Sequence, residues 1–265
     1  MYEFQYAKPK SLAEASALLA DNEDNQPLAG GQTLIPTLKQ RLNAPGTLVD
    51  LAELNELTGI TREGSAVVIG AMSSHAAVAA DPVVCEAIPA LAKLAGGIGD
   101  PQVRNVGTIG GSLANNDPAA DYPSAALALG ATVRTTRREI AADDYFQGFF
   151  ATALEPGELV VSVSFPVAEF AAYGRFEQRA SRYPMVGVFV ARNAAGVRVA
   201  VTGAGQDGVF RCSELEAALS DDFSAQAAAG VTVPADDLMS DLHASAEYRA
   251  ALIPIMASRA IDGTV

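Results

Sequence analysis

Gly107-Thr-Ile-Gly-Gly-Ser-Leu113 decides how this chain is read, because it has a counterpart far upstream, Ala29-Gly30-Gly31-Gln32-Thr33. Glycines leave no Cβ in the way, so successive backbone N–H groups can converge on phosphate oxygens, with Thr and Ser hydroxyls as further donors. A helical pattern follows each turn, Leu34, Ile35, Leu38 and Leu42 after the first and Leu113 onward after the second. Helix N-termini would therefore add their positive dipole ends. Two such turns predict a cradle for a diphosphate, hence a nucleotide, without saying which one.

Outward from the first turn, Ser11 and Glu14 frame the start of a helix through Leu12, Ala15, Leu18 and Leu19 in the manner of a capping box. Thr47-Leu-Val-Asp-Leu51 reads as a short buried strand, and a first unit closes near residue 58. Residues 66–70 read as a strand, Ser73 or Ser74 as the N-cap of a helix over 75–80, and 83–95 as a second helix. After the second turn, Asp117-Pro118 has the form of an N-cap and first-turn proline leading into the apolar run 124–131. Strands follow at 132–135 and 159–165, and Pro166 ends the second unit. Beyond it, strands at 172–178, 185–192 and 197–203 and helices near 213–220, 223–229 and 245–261 predict an antiparallel sheet with helices on one face. The expected division is 1–58, 59–166 and 167–265.

A chain of 265 residues with 49% hydrophobic content is ample for a real core. Its 18 basic against 31 acidic residues, a net charge of −13, argue against nucleic acid or an anionic membrane, either of which needs a basic face. The same scarcity of cations leaves a diphosphate to backbone dipoles and hydroxyls. Two cysteines, Cys85 and Cys212, and two histidines, His75 and His243, do not make a zinc or iron–sulfur site of recognisable spacing. The start MYEFQYAKPK has no apolar signal-like core, and no run suits a membrane span, so a cytoplasmic protein without membrane insertion is expected.

Two other motifs compete. Gly203-Ala-Gly205-Gln-Asp-Gly208 fits G-x-G-x-x-G, but the helical pattern after it starts only near Ser213, whereas the dinucleotide fingerprint needs its last glycine inside the helix. A strand-to-helix loop is the better account. Gly110-Gly-Ser112-Leu-Ala114 lacks the final glycine of a nucleophile elbow, and His243 lies in a polar stretch. No catalytic side chain is assigned.

The chain resembles the FAD-binding medium subunits of the molybdenum hydroxylases, the xanthine dehydrogenase and carbon monoxide dehydrogenase family, and among them the carbon monoxide dehydrogenase branch. The resemblance is carried by Pro27 to Pro36, Leu48 to Leu51, Val68 to Met72, Gly99 to Pro118, Tyr145 to Gly148 and Glu155 to Leu159. It implies an α+β chain in which two N-terminal α/β subdomains clasp FAD, as in the vanillyl-alcohol-oxidase-like FAD fold, followed by the antiparallel sheet with helices.

By the same resemblance, Ala29, Gly30, Gly31, Gln32 and Thr33 would bind the pyrophosphate together with Thr108, Ile109, Gly110, Gly111 and Ser112. Asp121 would contact the ribityl or phosphate region, and Asn115, Asp117 and Leu159 would line the cofactor. Tyr183 would lie against the isoalloxazine. Gln178 stands where the family often has Lys, and Arg182 where it often has Asp; glutamine brings no positive charge to the flavin, leaving Arg179 and Arg182 as the nearby cations. The implied partners are a small [2Fe–2S] subunit and a large molybdopterin subunit in a dimer of heterotrimers, with FAD passing electrons to an external acceptor. A stand-alone flavin oxidase or reductase and a module using its nucleotide structurally are the other readings.

Overall fold

The computed structural model describes residues 1–264. Strands β1 (Gln5–Ala7), β2 (Gln26–Leu28) and β3 (Thr47–Asp50) form a parallel sheet with β3 in the middle. Parallel neighbours need crossover connections. Helix α1 (Leu12–Asp21) carries the chain from β1 to β2 on the far side of β3, and α2 (Leu34–Lys39) lies in the crossover from β2 to its neighbour β3. Ser11 caps α1 by accepting the Glu14 N–H at 3.2 Å, while the Glu14 carboxylate reaches past Ser11 to the Lys10 N–H at 2.8 Å. Helix α2 stops before Leu42: Arg41 takes φ +58°, and Leu42 is 74% exposed rather than part of the helix face.

The second sheet is antiparallel throughout, in the order β4-β5-β8-β6-β7, with β4 at Ile60–Glu63, β5 at Ala66–Gly70, β6 at Thr132–Thr135, β7 at Glu139–Ala141 and β8 at Val160–Pro166. Between β5 and β6 lie six helices: α3 (His75–Ala80), α4 (Pro82–Ala87), α5 (Pro89–Gly97), α6 (Pro101–Val106), α7 (Ile109–Asn115) and α8 (Tyr122–Leu129). The helix expected over 83–95 is two, broken where Pro89 starts α5 and Ile88 leaves helical geometry. Ser74 caps α3 as expected. Asp117 does not begin a helix; its carboxylate accepts the Ala119 N–H at 2.8 Å and forms a local turn, so α8 starts only after Asp121. The short helix α9 (Ala142–Tyr145) follows β7.

The third sheet runs β12-β11-β10-β9, with β9 at Phe170–Glu177, β10 at Pro184–Asn193, β11 at Gly196–Gly205 and β12 at Gly208–Arg211, all antiparallel. Residues 203–208 are thus a hairpin, Gly205 pairing Gly208 across Gln206-Asp207, rather than a strand-to-helix loop. Helices α10 (Ser213–Asp221), α11 (Ala225–Ala229) and α12 (Ala246–Asp262) close the chain.

Helix α8 joins the second and third sheets. All eight of its side chains are buried, and the core around it takes in Val67, Val133 and Val163 on one side and Phe189, Ala191 and Ala200 on the other. An all-round apolar helix can sit only inside such a sandwich. Its C-terminal Leu127 carbonyl accepts from Arg198 of β11 at 2.8 Å, and the turn before it is held by Thr202, whose hydroxyl donates to Ala120 O at 2.6 Å. Among the described residues, no helix is long and apolar enough to cross a membrane.

Candidate functional site

The two glycine turns meet. A Cβ built on Gly30 would lie 2.1 Å from the Val106 carbonyl oxygen, and one on Gly111 would lie 3.7 Å from the Ala29 Cβ. Only a bare backbone lets residues 29–31 press so close to 106–111. Gly31 adds φ +66°, which turns the chain outward into α2.

The first turn offers a row of free donors. Among the described residues, the N–H groups of Gly30, Gly31, Gln32, Thr33 and Leu34 have no acceptor within the chain, although the carbonyls of Gly31 and Thr33 already accept from Ile35 and Thr37. Thr33 makes no side-chain cap bond, and Gln32 and Thr33 are exposed. Consecutive unpaired N–H groups on a solvent-facing glycine turn are the donor set of an anion nest.

The second turn is built differently. Gly110 and Gly111 lie within the first turn of α7 instead of ahead of it, and the N–H groups there are spent inside the protein: Ile109 on Ser73 O at 3.1 Å, Gly110 on Ala71 O at 2.9 Å, Gly111 on Thr108 Oγ1 at 3.1 Å, Ser112 on Thr108 O at 3.0 Å. Gly110 is needed for packing, since a Cβ would fall 2.5 Å from the Ala71 Cβ. The second turn is thus the rigid wall against which the first is set, and the Ser112 hydroxyl on it has no partner among the described residues.

Helix α7 then acts as a ruler. At about 1.5 Å per residue, Asn115 stands roughly 10 Å along from Thr108. Buried Asn116 ends the helix with φ +43°, and its side-chain amide donates to Gly148 O at 2.9 Å and Ala151 O at 2.7 Å, holding the loop that bears exposed Phe149 and Phe150. That end opens onto a cavity of about 350 Å³, lined among others by Asp117, Phe149, Phe150, Gln178, Tyr183 and Arg249.

Asp121 is buried, its carboxylate accepting from Tyr173 Oη at 2.7 Å and Arg175 Nη1 at 3.1 Å. Burial pushes its pKa up against the opposing pull of Arg175 and Tyr173. Gln178 folds its own turn: its Oε1 accepts from the N–H groups of Ala180 at 2.6 Å and Ser181 at 2.9 Å. Tyr183 stays 56% exposed, and partial burial with the charges of Asp117 and Asp121 raises its phenol above the usual value. Leu159 sits in the core with Leu19, Leu54 and Leu57, its N–H on Thr136 Oγ1 and its carbonyl accepting from Thr136 N. The structure thus brings Asp117, Gln178 and Tyr183 to one cavity, the two glycine turns to one cleft, and Leu159 to neither.

Sequence reasoning passed over Asn116 and Arg249. An asparagine closing a helical run is a left-handed cap signal. Arg249 falls on the buried stripe of α12 with Leu252, Ile253 and Met256, and a charge on an apolar stripe marks a group with a specific task. His75 is buried beside the Tyr122 ring, centroids 5.4 Å apart, under Gly107. Desolvation, with Arg104 adding to it, lowers its pKa to about 4.

Free backbone donors in a glycine cradle, set against a second glycine turn, define a protein that binds a phosphate-bearing nucleotide cofactor. The chain belongs to the FAD-binding medium subunits of the molybdenum hydroxylases: the family described as the FAD binding domain in molybdopterin dehydrogenase matches residues 2–168. It is 36% identical to the carbon monoxide dehydrogenase medium chain of Afipia carboxidovorans, over 98% of this chain and 96% of that one. It is 35% identical to the nicotine 6-hydroxylase medium subunit of Paenarthrobacter nicotinovorans, over 97% and 95%. Among solved structures, a carbon monoxide dehydrogenase from Hydrogenophaga pseudoflava lacking the Mo-pyranopterin moiety superposes with a TM-score of 0.88 at 35% identity, covering 98% and 96%. The cofactor is FAD, and the row of unpaired N–H groups at 30–34 fits its diphosphate.

Proposed function

We propose that this chain is the electron-relay subunit of a molybdenum hydroxylase assembled as a dimer of heterotrimers. In that assembly the chain would hold FAD between the [2Fe–2S] clusters of a small partner and an external electron acceptor, while substrate would be hydroxylated at molybdenum on a large partner. Bound FAD supplies the electron storage; the chain supplies its seat. Residues 29–33 hold the diphosphate through their N–H groups and the Thr33 hydroxyl, with Ser112 facing them. Asn115, Asp117, Asp121, Gln178 and Tyr183 are the proposed lining of the remainder, and Leu159, which lies in the core, is left out of it. No side chain here acts as acid or base on the organic substrate.

The single observation that carries this reading is the glycine cradle with unspent donors, in a chain whose relatives match over nearly their whole length while their names span carbon monoxide and nicotine. Relatives that match over nearly the whole chain yet carry names of different substrates support placing substrate choice on another chain. The isolated chain with its FAD should be reduced by dithionite and by no organic substrate, and adding the cognate iron–sulfur and molybdenum subunits should restore substrate-dependent reduction. Turnover of an organic substrate by the isolated chain with an artificial acceptor would make it a stand-alone oxidoreductase.

A further inference from the structure

The turn that presents Tyr183 is closed by bonds of its own, Gln178 N–H on Tyr183 O at 2.9 Å and Arg182 N–H on Gln178 O at 2.7 Å, with Arg182 at φ +62°. How that turn leaves the sheet is decided just after it. The register of β10 against β9 shifts between Pro184 and Val186, so Met185 drops out of the ladder. Its carbonyl is taken instead by Arg249 Nη1 at 2.6 Å, and the same nitrogen donates to Gly203 O at 2.6 Å. Arg249 Nη2 rests on the Asp241 carboxylate at 2.8 Å, and the side chain is 2% exposed. Gly203, at φ +79°, lies so near that a Cβ would come within 2.3 Å of the Pro184 carbonyl oxygen.

A buried guanidinium is costly, and here it spans the irregular start of one strand and the end of its neighbour, beside Tyr183 in the same cavity. The planar fork reaches two carbonyls and a carboxylate at once; an ammonium has no such geometry. We propose that Arg249, through Met185 and Gly203, is a positioning residue that sets the angle at which Tyr183 meets the flavin. This rests on the assignment of Tyr183 to the flavin face.

The test is the fluorescence yield of FAD in the chain as purified, together with flavin content and thermal midpoint, for wild type, Tyr183→Ala, Arg249→Lys, their double variant and Asp241→Asn. A phenol in contact with a flavin quenches its emission. Arg249→Lys should lose most of the quenching that Tyr183→Ala loses, the double variant should lose no more than Tyr183→Ala alone, and Asp241→Asn should lose part of it. Losses in Arg249→Lys that add to those of Tyr183→Ala, or unchanged quenching in it, overturn the inference. Should Arg249→Lys fail to fold, Asp241→Asn decides: unchanged quenching there overturns it. Wild type without FAD, or Tyr183→Ala without effect, removes the flavin assignment and the inference with it.

Discussion

The phenol of Tyr173 donates to the Asp121 carboxylate at 2.7 Å, and so β9 of the third sheet is tied to the residue from which α8 departs. Arg175, next on the same face of β9, adds 3.1 Å to Asp121 and 2.6 Å to the Gly97 carbonyl at the end of α5. Three segments distant in sequence share one buried charge pair. Tyr173→Phe should cost about 1.5–3 kcal/mol, as for a hydrogen bond to a charged group. Asp121→Ala, which strips Arg175 of its buried partner, should cost about 3–5 kcal/mol. Urea unfolding checks both; equal costs would mean that the ion pair contributes nothing beyond the phenol.

Gly30→Ala should abolish FAD retention, since its Cβ would collide with Val106 O and force the two turns apart. Gly205→Ala also meets backbone, Gly208 O at 2.4 Å, and should lower stability, yet it lies in the β11–β12 hairpin and should leave the flavin content of the folded protein unchanged. The ratio of flavin to protein absorbance after gel filtration measures the contrast. Equal flavin loss in both would undo the assignment of the cradle.

Gly96→Ala should stabilise the chain by roughly 0.5–1 kcal/mol, because Gly96 is exposed in α5 and a Cβ there meets only Ala79 Cβ at 3.7 Å. A higher urea midpoint at unchanged slope is the expected result.

His75 makes stability depend on pH in a defined direction. Its pKa is about 4 in the folded chain against 6.5 for the ordinary side chain, so between those values the unfolded chain holds a proton that the native one lacks. Stability therefore rises as pH increases from 4 to 6.5 and levels off above. At about 1.4 kcal/mol per unit, the effect amounts to about 3 kcal/mol at most. Asp121, whose pKa is raised, contributes with the opposite sign. The difference between wild type and His75→Gln isolates the histidine, and parallel curves for the two across this window would refute the assignment.

The parts legible in the sequence were those set by local chemistry. Ser11 and Ser74 as caps, the apolar run that became α8, the period-two strand ending at Pro166 and the three strands after it all follow from neighbours a few residues away. Strands β4, β7 and β12 escaped because each is three or four residues long and exists through its partner, not its pattern. The cradle was visible as paired glycine turns, but not the division of labour between them: that Gly110 N–H is spent on Ala71 while the row from Gly30 stays free is decided by residues forty to eighty positions apart. Arg249 and Met185 are joined across a sheet irregularity that no sequence period announces.

Helix α8 has no side that water could wet, and its covering strands come from both before and after residue 168, where the family match stops. A fragment ending there would leave the faces that Phe189, Ala191 and Ala200 now cover open to solvent, and would aggregate rather than bind cofactor. The smallest piece of this chain that keeps α8 dry is therefore the second sheet together with the third.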